Sequence, residues 1–448
     1  MPSSGFLALL RSNRNYRYAW LGQVVSEAGD HFNNIAVFAL ALANTHSGAV
    51  VAAILLSRGL SMLPAGPIAG VLLDRMDRRR IMILSDLLRA AIALGFIFAI
   101  PLGRTWLLYL LSGLLMFASP FFTSGRAAIL PTIANRDELH TANSLTQLTQ
   151  WTALAAGSFL AGISVSALGY TLAFVFNAGS FLFSALCISR LRTTDGFKPT
   201  NQSGRYNPAR QGADQTTEKN NESKLLRPLR EYLAGLRYMR SVPLIFAIGL
   251  INVGWATGGG AGQILLSLFG DAIFHRSSIG IGAIWGSAGI GLVLGSVIAH
   301  RLFPRLSFAQ YKKTVSIVYV LHGTFYALFA LSPSFPIALF CIGLSRVAVG
   351  ISAVSNSSQL LSHVSHEFRG RVFSTIETWT WMTMMLSMSI AGWATGHASP
   401  RIIGVIAALF STSTAFFWAW ANYSGHLPEP ATTGFDPDDA EVHREPAP

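Results

Sequence analysis

Twelve apolar stretches, each near the length that crosses a bilayer, leave this chain few ways to fold. They run at 17–43, 50–73, 81–101, 105–125, 143–168, 170–189, 243–269, 279–303, 313–331, 336–357, 373–397 and 401–423. A membrane span needs about 20 mostly apolar residues. The ~10-residue alternation of a membrane β-strand is absent. Charged residues make up 12% of the chain, about half the usual share of a soluble domain. A water-soluble fold would have to bury twelve nearly uncharged helices in one core. The expected fold class is therefore all-α and polytopic, with twelve transmembrane helices. The fifth and sixth spans are separated only by Gly169-Tyr170. Cys187 and Cys341 lie inside apolar stretches and predict neither a disulfide framework nor a zinc site. No cofactor or metal is expected. Residues 1–16 hold Arg11 and Arg14 but no small-residue cleavage site after an apolar core, so the first span is expected to remain as a signal anchor.

Charge placement predicts orientation. The N-terminus, the loops after spans 2, 4, 6, 8 and 10, and the C-terminal tail carry 27 of the 33 Lys and Arg. The alternate loops carry only Arg104, Arg276 and Arg401, while Arg58, Arg89 and Arg346 fall within spans. This is the positive-inside pattern, so both termini are expected in the cytoplasm and the span count is expected to be even. The net charge of +12 then reports membrane orientation, and nucleic acid is not an expected partner.

The longest loop falls at the midpoint. It divides the chain into an N-terminal six-helix bundle (1–189), a cytoplasmic linker (190–242), a C-terminal six-helix bundle (243–424) and a tail (425–448). Residues 195–224 are too polar to fold alone, and 225–240 are basic and amphipathic, as in a helix lying on a membrane surface. The tail carries Pro428, Pro430, Pro437, Pro446 and Pro448 and is expected to be disordered. Residues 133–145 and 364–376 enter spans 5 and 11 in matching positions with a similar order of apolar and charged residues, which predicts two pseudo-symmetric halves.

Polar residues inside the spans mark candidate sites. Gln23, Glu27, Asp30 and Asn34, spaced i, i+4, i+7 and i+11, fall within about 60° of one another on a helix, with His31 beside them. A carboxylate at the bilayer centre costs roughly 2.5–3.5 kcal/mol on insertion scales, so this face must line a cavity or meet partners. Asp30 lies about 20 Å along span 1 and Arg58 about 22 Å along span 2 from the same side. The two can meet near mid-membrane as a proton-coupling site or as a permanent structural bond, or they make no contact. Glu27 is a second proton candidate. Asp86 and Arg89 are spaced for an intrahelical pair. Glu377 is placed to contact a gate or line the cavity, and Arg346 to attract an anionic substrate group or neutralise Glu377. Asn143, Gln147 and Gln150, with Trp151 beside them, form a stripe on span 5. Asn252 and Gln263 share a face of span 7, with Gly258-Gly-Gly-Ala-Gly262 expected to weaken the helix between them. These amides are cavity candidates, with core packing as the alternative. Six glycines of span 8 (280, 282, 286, 289, 291 and 295) predict close helix packing. Trp20, Trp106 and Trp418 are placed for interfacial anchoring.

The turn between spans 2 and 3 reads Gly66-Pro-Ile-Ala-Gly-Val-Leu-Leu-Asp-Arg-Met-Asp-Arg-Arg-Arg80. Its Gly and Pro would let one helix end approach another closely, and its cationic turn alone would fix topology. The segment resembles the signature loop of the major facilitator superfamily, Gly-x-x-x-Asp-Arg-x-Gly-Arg-Arg, with Asp77 where the pattern has Gly. That variant is similar to the drug:proton antiporter branch that includes macrolide efflux proteins and the enterobactin exporter. Asn15-Tyr-Arg-Tyr-Ala-Trp-Leu-Gly-Gln23, Ser26-Glu-Ala-Gly-Asp30, Ser85-Asp-Leu-Leu-Arg89, Gly125-Arg-Ala-Ala-Ile-Leu-Pro131, Ala142-Asn-Ser-Leu145 and Arg369-Gly-Arg-Val372 add to the likeness. The resemblance implies a bacterial inner-membrane transporter working by alternating access. It also implies an inward gate of Gly70, Asp74, Arg75, Arg78 and Arg79, with Asp74 meeting the end of span 11 and Arg126.

The expected function is secondary active efflux of an amphipathic small molecule, drug or siderophore, coupled to protons in a monomer. A lipid or lysolipid flippase and a non-transporting sensor are the alternatives. A membrane-embedded enzyme would have only His363, His366 and Glu367 to work with, and is not expected.

Overall fold

A computed structural model describes residues 6–101, 104–192, 227–302, 306–365 and 368–430. The polar linker 195–224, the tail from 431 onward, and His366 and Glu367 lie outside the described residues. Helices α1 to α7 are Phe6–Ser12, Arg14–Thr45, Gly48–Arg75, Arg78–Gly95, Thr105–Ile133, Arg136–Thr152 and Ser158–Ser189. Helices α8 to α14 are Arg227–Ser241, Pro243–Leu268, Ser277–Leu302, Phe308–Leu331, Phe335–His363, Arg369–Ala394 and Pro400–Tyr423. Two π-helical turns, Ala153–Gly157 and Phe269–Ile273, continue α6 into α7 and extend α9. No strand occurs among the described residues.

Nine helical segments among the described residues are long and apolar enough to cross a membrane. The 49-residue segment Thr141–Ser189 is two antiparallel legs. Along α2, Tyr16 bonds Ala142, Trp20 bonds Thr149, and His31 lies against Gly157, so the first leg runs parallel to α2. Beyond Gly169 the order reverses: Gly22 faces Ser184, Gly29 faces Ser180, and Phe32 packs at a tilt against Phe176. The turn is made at Gly169, at φ 81° and ψ 174°, a region open essentially to glycine alone. The two remaining long helices, α2 and α13, have 32 and 26 residues but carry too many polar groups to count as apolar. Counting Thr141–Ser189 as two legs and adding these two helices gives twelve long helical legs among the described residues, of which α2 and α13 are not apolar enough to be counted as spans.

Helix starts are set by side-chain caps that satisfy the free N–H groups of a first turn. Asn13 Oδ1 accepts from Tyr16 N at 2.9 Å. Its Nδ2 donates to Ile133 O and Glu138 Oε2 at 2.7 and 3.0 Å, which ties the start of α2 to the end of α5 and the start of α6. Asn135 with Glu138, and Ser307 with Gln310, form capping boxes.

By contact the chain divides into two compact units. The first holds Met1–Asn220, Ile264–Gly289 and Ala391–Pro400; the second holds Asn221–Gln263, Ile290–Ile390 and Arg401–Pro448. In the first unit α2 packs on α7, α3 on α5, and α4 on both α5 and α7. Lipid tails are as apolar as leucine, so helices in a bilayer associate through close packing of small residues. The span-8 glycines do this. A methyl at Gly282 would stand 2.7 Å from Gly162 Cα, and one at Gly289 would stand 2.7 Å from Ala155. Ser278 Oγ donates to Gly162 O at 3.2 Å across the same seam.

In the second unit a core gathers Met239, Ile245, Tyr311, Val315, Ile376 and Trp418. Trp418 is fully buried, and its Nε1 donates to Lys312 O at 2.9 Å; it is a core residue and not an interfacial anchor. Trp106, 59% exposed, is free for that role. The basic segment forms α8, which packs on α13: Trp379 Nε1 donates to Tyr232 Oη at 2.9 Å, and Tyr238 stacks on Phe368. The run Gly258–Gly262 does not break α9, which stays helical throughout. Ser387 bridges the run instead: it donates to Thr257 O at 2.5 Å and accepts from Ala261 N at 3.0 Å. Those two backbone groups would bond each other in an undisturbed turn.

The hairpin makes a sharp prediction. Gly169→Ala should destabilise the protein by about 1–3 kcal/mol, because only glycine tolerates that backbone. Gly66→Ala, in a helix with nothing within 4 Å of the added methyl, should leave the thermal unfolding midpoint unchanged or raise it slightly. Thermal unfolding of the purified protein in detergent measures both.

Candidate functional site: a polar cavity in the first unit

The polar face of α2 opens onto a cavity of about 290 Å³ bordered by Glu27, Asp30, His31, Arg89, Arg126 and Gln150. A smaller cavity of about 100 Å³, bordered by Gln23, Asn143 and Thr146, shares Arg126 with it. Each element contributes for a local reason. The i, i+4, i+7 spacing of α2 aims Gln23, Glu27 and Asp30 one way. The π-helical turn at Ala153–Gly157 follows Gln150, and such turns recur at functional sites.

Gln23 Nε2 donates to Glu27 Oε1 at 2.9 Å and to Thr146 O at 3.2 Å. Arg126 Nη1 reaches the same Glu27 oxygen at 3.5 Å, while Glu27 Oε2 is buried and unpartnered. Glu27 is therefore paired on one oxygen and open on the other. Asp30 makes no hydrogen bond or ion pair among the described residues and borders the cavity together with Arg89 and Arg126. The expected Asp30–Arg58 bond is not made. Arg58 Nη1 donates instead to Asn34 Oδ1 at 2.7 Å, and its guanidinium lies over the Phe38 ring at 5.3 Å. Asn34 is one helical turn beyond Asp30 on the same face, and its neutral oxygen takes the arginine. Asp86 and Arg89 form the expected pair, buried to 0% and 3% exposure. Arg89 is held between the rings of Phe122 and Phe181, at 4.6 and 4.3 Å.

Asn143 and Gln150 border the two cavities, whereas Gln147 is exposed and borders neither. In the second unit Gln263 is half-buried, and Asn252 bonds its own helix at Ile248 O. Glu377 is exposed and does not neutralise Arg346, which is 7% exposed and has no hydrogen bond or ion pair among the described residues.

The signature loop departs from expectation in two ways. Methyls at Gly66 or Gly70 would meet nothing within 4 Å, so these glycines do not serve a close helix approach here. Arg126 is taken by Glu27 and does not meet Asp74, which is exposed, as is Arg75. The cationic turn is used as a staple instead. Arg78 Nη1 donates to Ala128 O near the end of α5 at 3.0 Å, and Arg79 donates to Ser189 O at the end of α7. Cations at helix C-termini complement the macrodipole. Asp77, the residue that replaces glycine, caps α4 by accepting from Arg79 N and Arg80 N at 2.9 and 3.2 Å.

The model of the Major Facilitator Superfamily matches residues 19–344. The MFS-type transporter YfiS of Bacillus subtilis is 25% identical over 404 residues, covering 86% of this chain and 87% of that one. The enterobactin exporter EntS of Citrobacter koseri is 24% identical over 377 residues, covering 82% of each. Among solved structures, the nucleoside transporter NupG superposes with a TM-score of 0.67 at 14% identity, over 91% of this chain and 99% of that one. This last likeness is one of fold.

The cap at Asp77 is testable. Asp77→Ala should cost about 0.5–2 kcal/mol of stability, whereas Asp77→Gly, which restores the superfamily pattern, should cost only a few tenths. Equal losses for the two variants in thermal unfolding would remove the capping role.

Proposed function

Because this chain belongs to the major facilitator superfamily of membrane transporters, we propose that it exports an amphipathic small molecule across a bacterial inner membrane in exchange for protons, by alternating access. Similarity to EntS supports the direction, and the distribution of Lys and Arg supports cytoplasmic termini. The cavity suits an amphipathic guest because Met116 and Phe122 border it together with its charged groups.

One observation carries the coupling: Asp30 borders the cavity without a bonded partner. A charged carboxylate at bilayer depth costs roughly 2.5–3.5 kcal/mol, so an empty cavity favours a proton on Asp30. Cargo that brings polar or cationic groups to the cavity favours its release. Glu27 is the second carrier: protonation of its carboxylate weakens the hold on Arg126 and frees that guanidinium for the cargo. Arg58, tied to Asn34, supplies fixed positive charge one turn away. Asp74 and Arg75, exposed here, are the gate residues of the cycle. A potential of 100 mV is worth about 2.3 kcal/mol per charge, which supports a roughly 50-fold gradient per proton.

Inverted vesicles test this. Proton release from energised vesicles should follow addition of a transported macrolide, lipophilic cation, catecholate siderophore or lysolipid. Asp30→Asn should abolish it, and Glu27→Gln should weaken it. Labelled cargo that moves with no proton signal, or an unaffected Asp30→Asn variant, would sink the coupling. A response to lysolipid alone would turn the reading to a flippase.

A further inference from the structure

The buried arginines of the first unit each have an oxygen partner: Arg58 has Asn34, Arg89 has Asp86, and Arg126 has Glu27. Arg346 in the second unit has none among the described residues. It sits eleven residues into α12, about 17 Å from the helix start, and is 7% exposed. The described acidic side chains of that unit, Glu377 and Glu429, are both exposed. Beside the guanidinium stands a second unsatisfied donor. Tyr326 on α11 is 1% exposed, and its hydroxyl has no hydrogen-bond partner. The two converge on Gly262 of α9, where an added methyl would lie 3.0 Å from Tyr326 Oη and 3.4 Å from Arg346 Nη2.

Neighbours hold both groups in place. The Arg346 stem lies against Gly291 of α10, where an added methyl would stand 2.8 Å from its Cβ. The Tyr326 ring stacks at 5.9 Å on His322, which is itself pinned through Nδ1 to Ser345 Oγ at 2.7 Å. Ser345 gives its own proton to the backbone carbonyl of His322 at 3.1 Å, so the imidazole is held through Nδ1 alone and its buried Nε2 has no hydrogen-bond partner.

We infer that Arg346 and Tyr326 form an anion subsite in the second unit that takes a carboxylate of the transported molecule. A buried cation without a counter-charge is unstable in a bilayer, and an incoming monoanion neutralises it. One guanidinium and one hydroxyl match the single charge and two oxygens of a carboxylate. A phosphate dianion would leave a net negative charge at the site. Only glycine at 262 lets α9 pass this close to both donors, since any side chain there would crowd them. His322 is a positioning residue, acting through the Tyr326 ring. The cargo is then an amphipathic acid, its charge bound in the second unit.

This inference rests on the export reading for calling the occupant cargo, but its test needs no gradient, so the failure of either is a separate result. The full-length protein in detergent, in chloride-free sulfate buffer, is titrated with N-dansyl-leucine and with its uncharged amide. The wild type should bind the acid more tightly than the amide. Arg346→Gln should weaken acid binding by about 30-fold or more and leave amide binding unchanged, which also shows that the variant is folded. Tyr326→Phe should weaken acid binding by about tenfold, and His322→Ala should lie between Tyr326→Phe and the wild type. Absence of an acid preference in the wild type, including no binding of either probe, overturns the proposal. So does a preference that survives in Arg346→Gln. Chloride that binds in an Arg346-dependent way while the acid does not would make the site a halide site and overturn the carboxylate assignment.

Discussion

Charge inside a bilayer has to be answered, and this cost organises the molecule. Each ionised side chain at membrane depth needs a partner, a polar cavity or a guest. Asp86 and Arg89 answer each other within one turn of α4 and are enclosed by two aromatic rings. Arg58 is answered by a neutral amide. Glu27 is half answered by Arg126, and Asp30 has no bonded partner, only the guanidinium groups that border the same cavity. The degree of satisfaction differs from charge to charge: in the first unit the least satisfied carboxylates border the cavity, and in the second Arg346 has no bonded partner among the described residues.

The backbone obeys the same accounting. Polar main-chain groups in lipid must be bonded within the protein. Caps at Asn13, Asp77 and Asn135 close helix starts. Arg78 and Arg79 close the ends of α5 and α7, and Ser387 bonds both a carbonyl and an N–H of α9. The glycine-rich face of α10 contributes closeness, with the Ser278–Gly162 bond across its seam.

Most of the architecture was legible because membrane spans advertise themselves by length and hydropathy. Even Gly169, a single residue, marked the hairpin between the fifth and sixth legs. The α2 cavity face was legible because four polar residues at helical spacing have no other tolerable direction. Partner choice was not. Depth arguments place Asp30 and Arg58 at one level but cannot tell which of two neighbours on the same face receives the guanidinium. Arg126 was assigned to Asp74 through the family pattern, whereas packing of α5 on α2 turned it inward to Glu27. Trp418 looked interfacial by position along its span, yet the direction of its ring depends on α11, which the spacing of α14 cannot reveal. Tyr326 and His322 carried no signal, since an aromatic residue in an apolar span is ordinary until an unpaired arginine is found beside it.

The hairpin at Gly169 has a mechanical consequence. A connection of one residue has no slack, so the legs on either side cannot slide independently. The first leg presents Ala155 and Gly162 to the glycines of α10, and its π-helical turn abuts His31 at the cavity. The second leg is threaded against Gly22 and Gly29 of α2. Parting the glycine seam would therefore drag the cavity wall with it, as a crank turns a shaft, and tie the packing of α10 to the shape of the cavity.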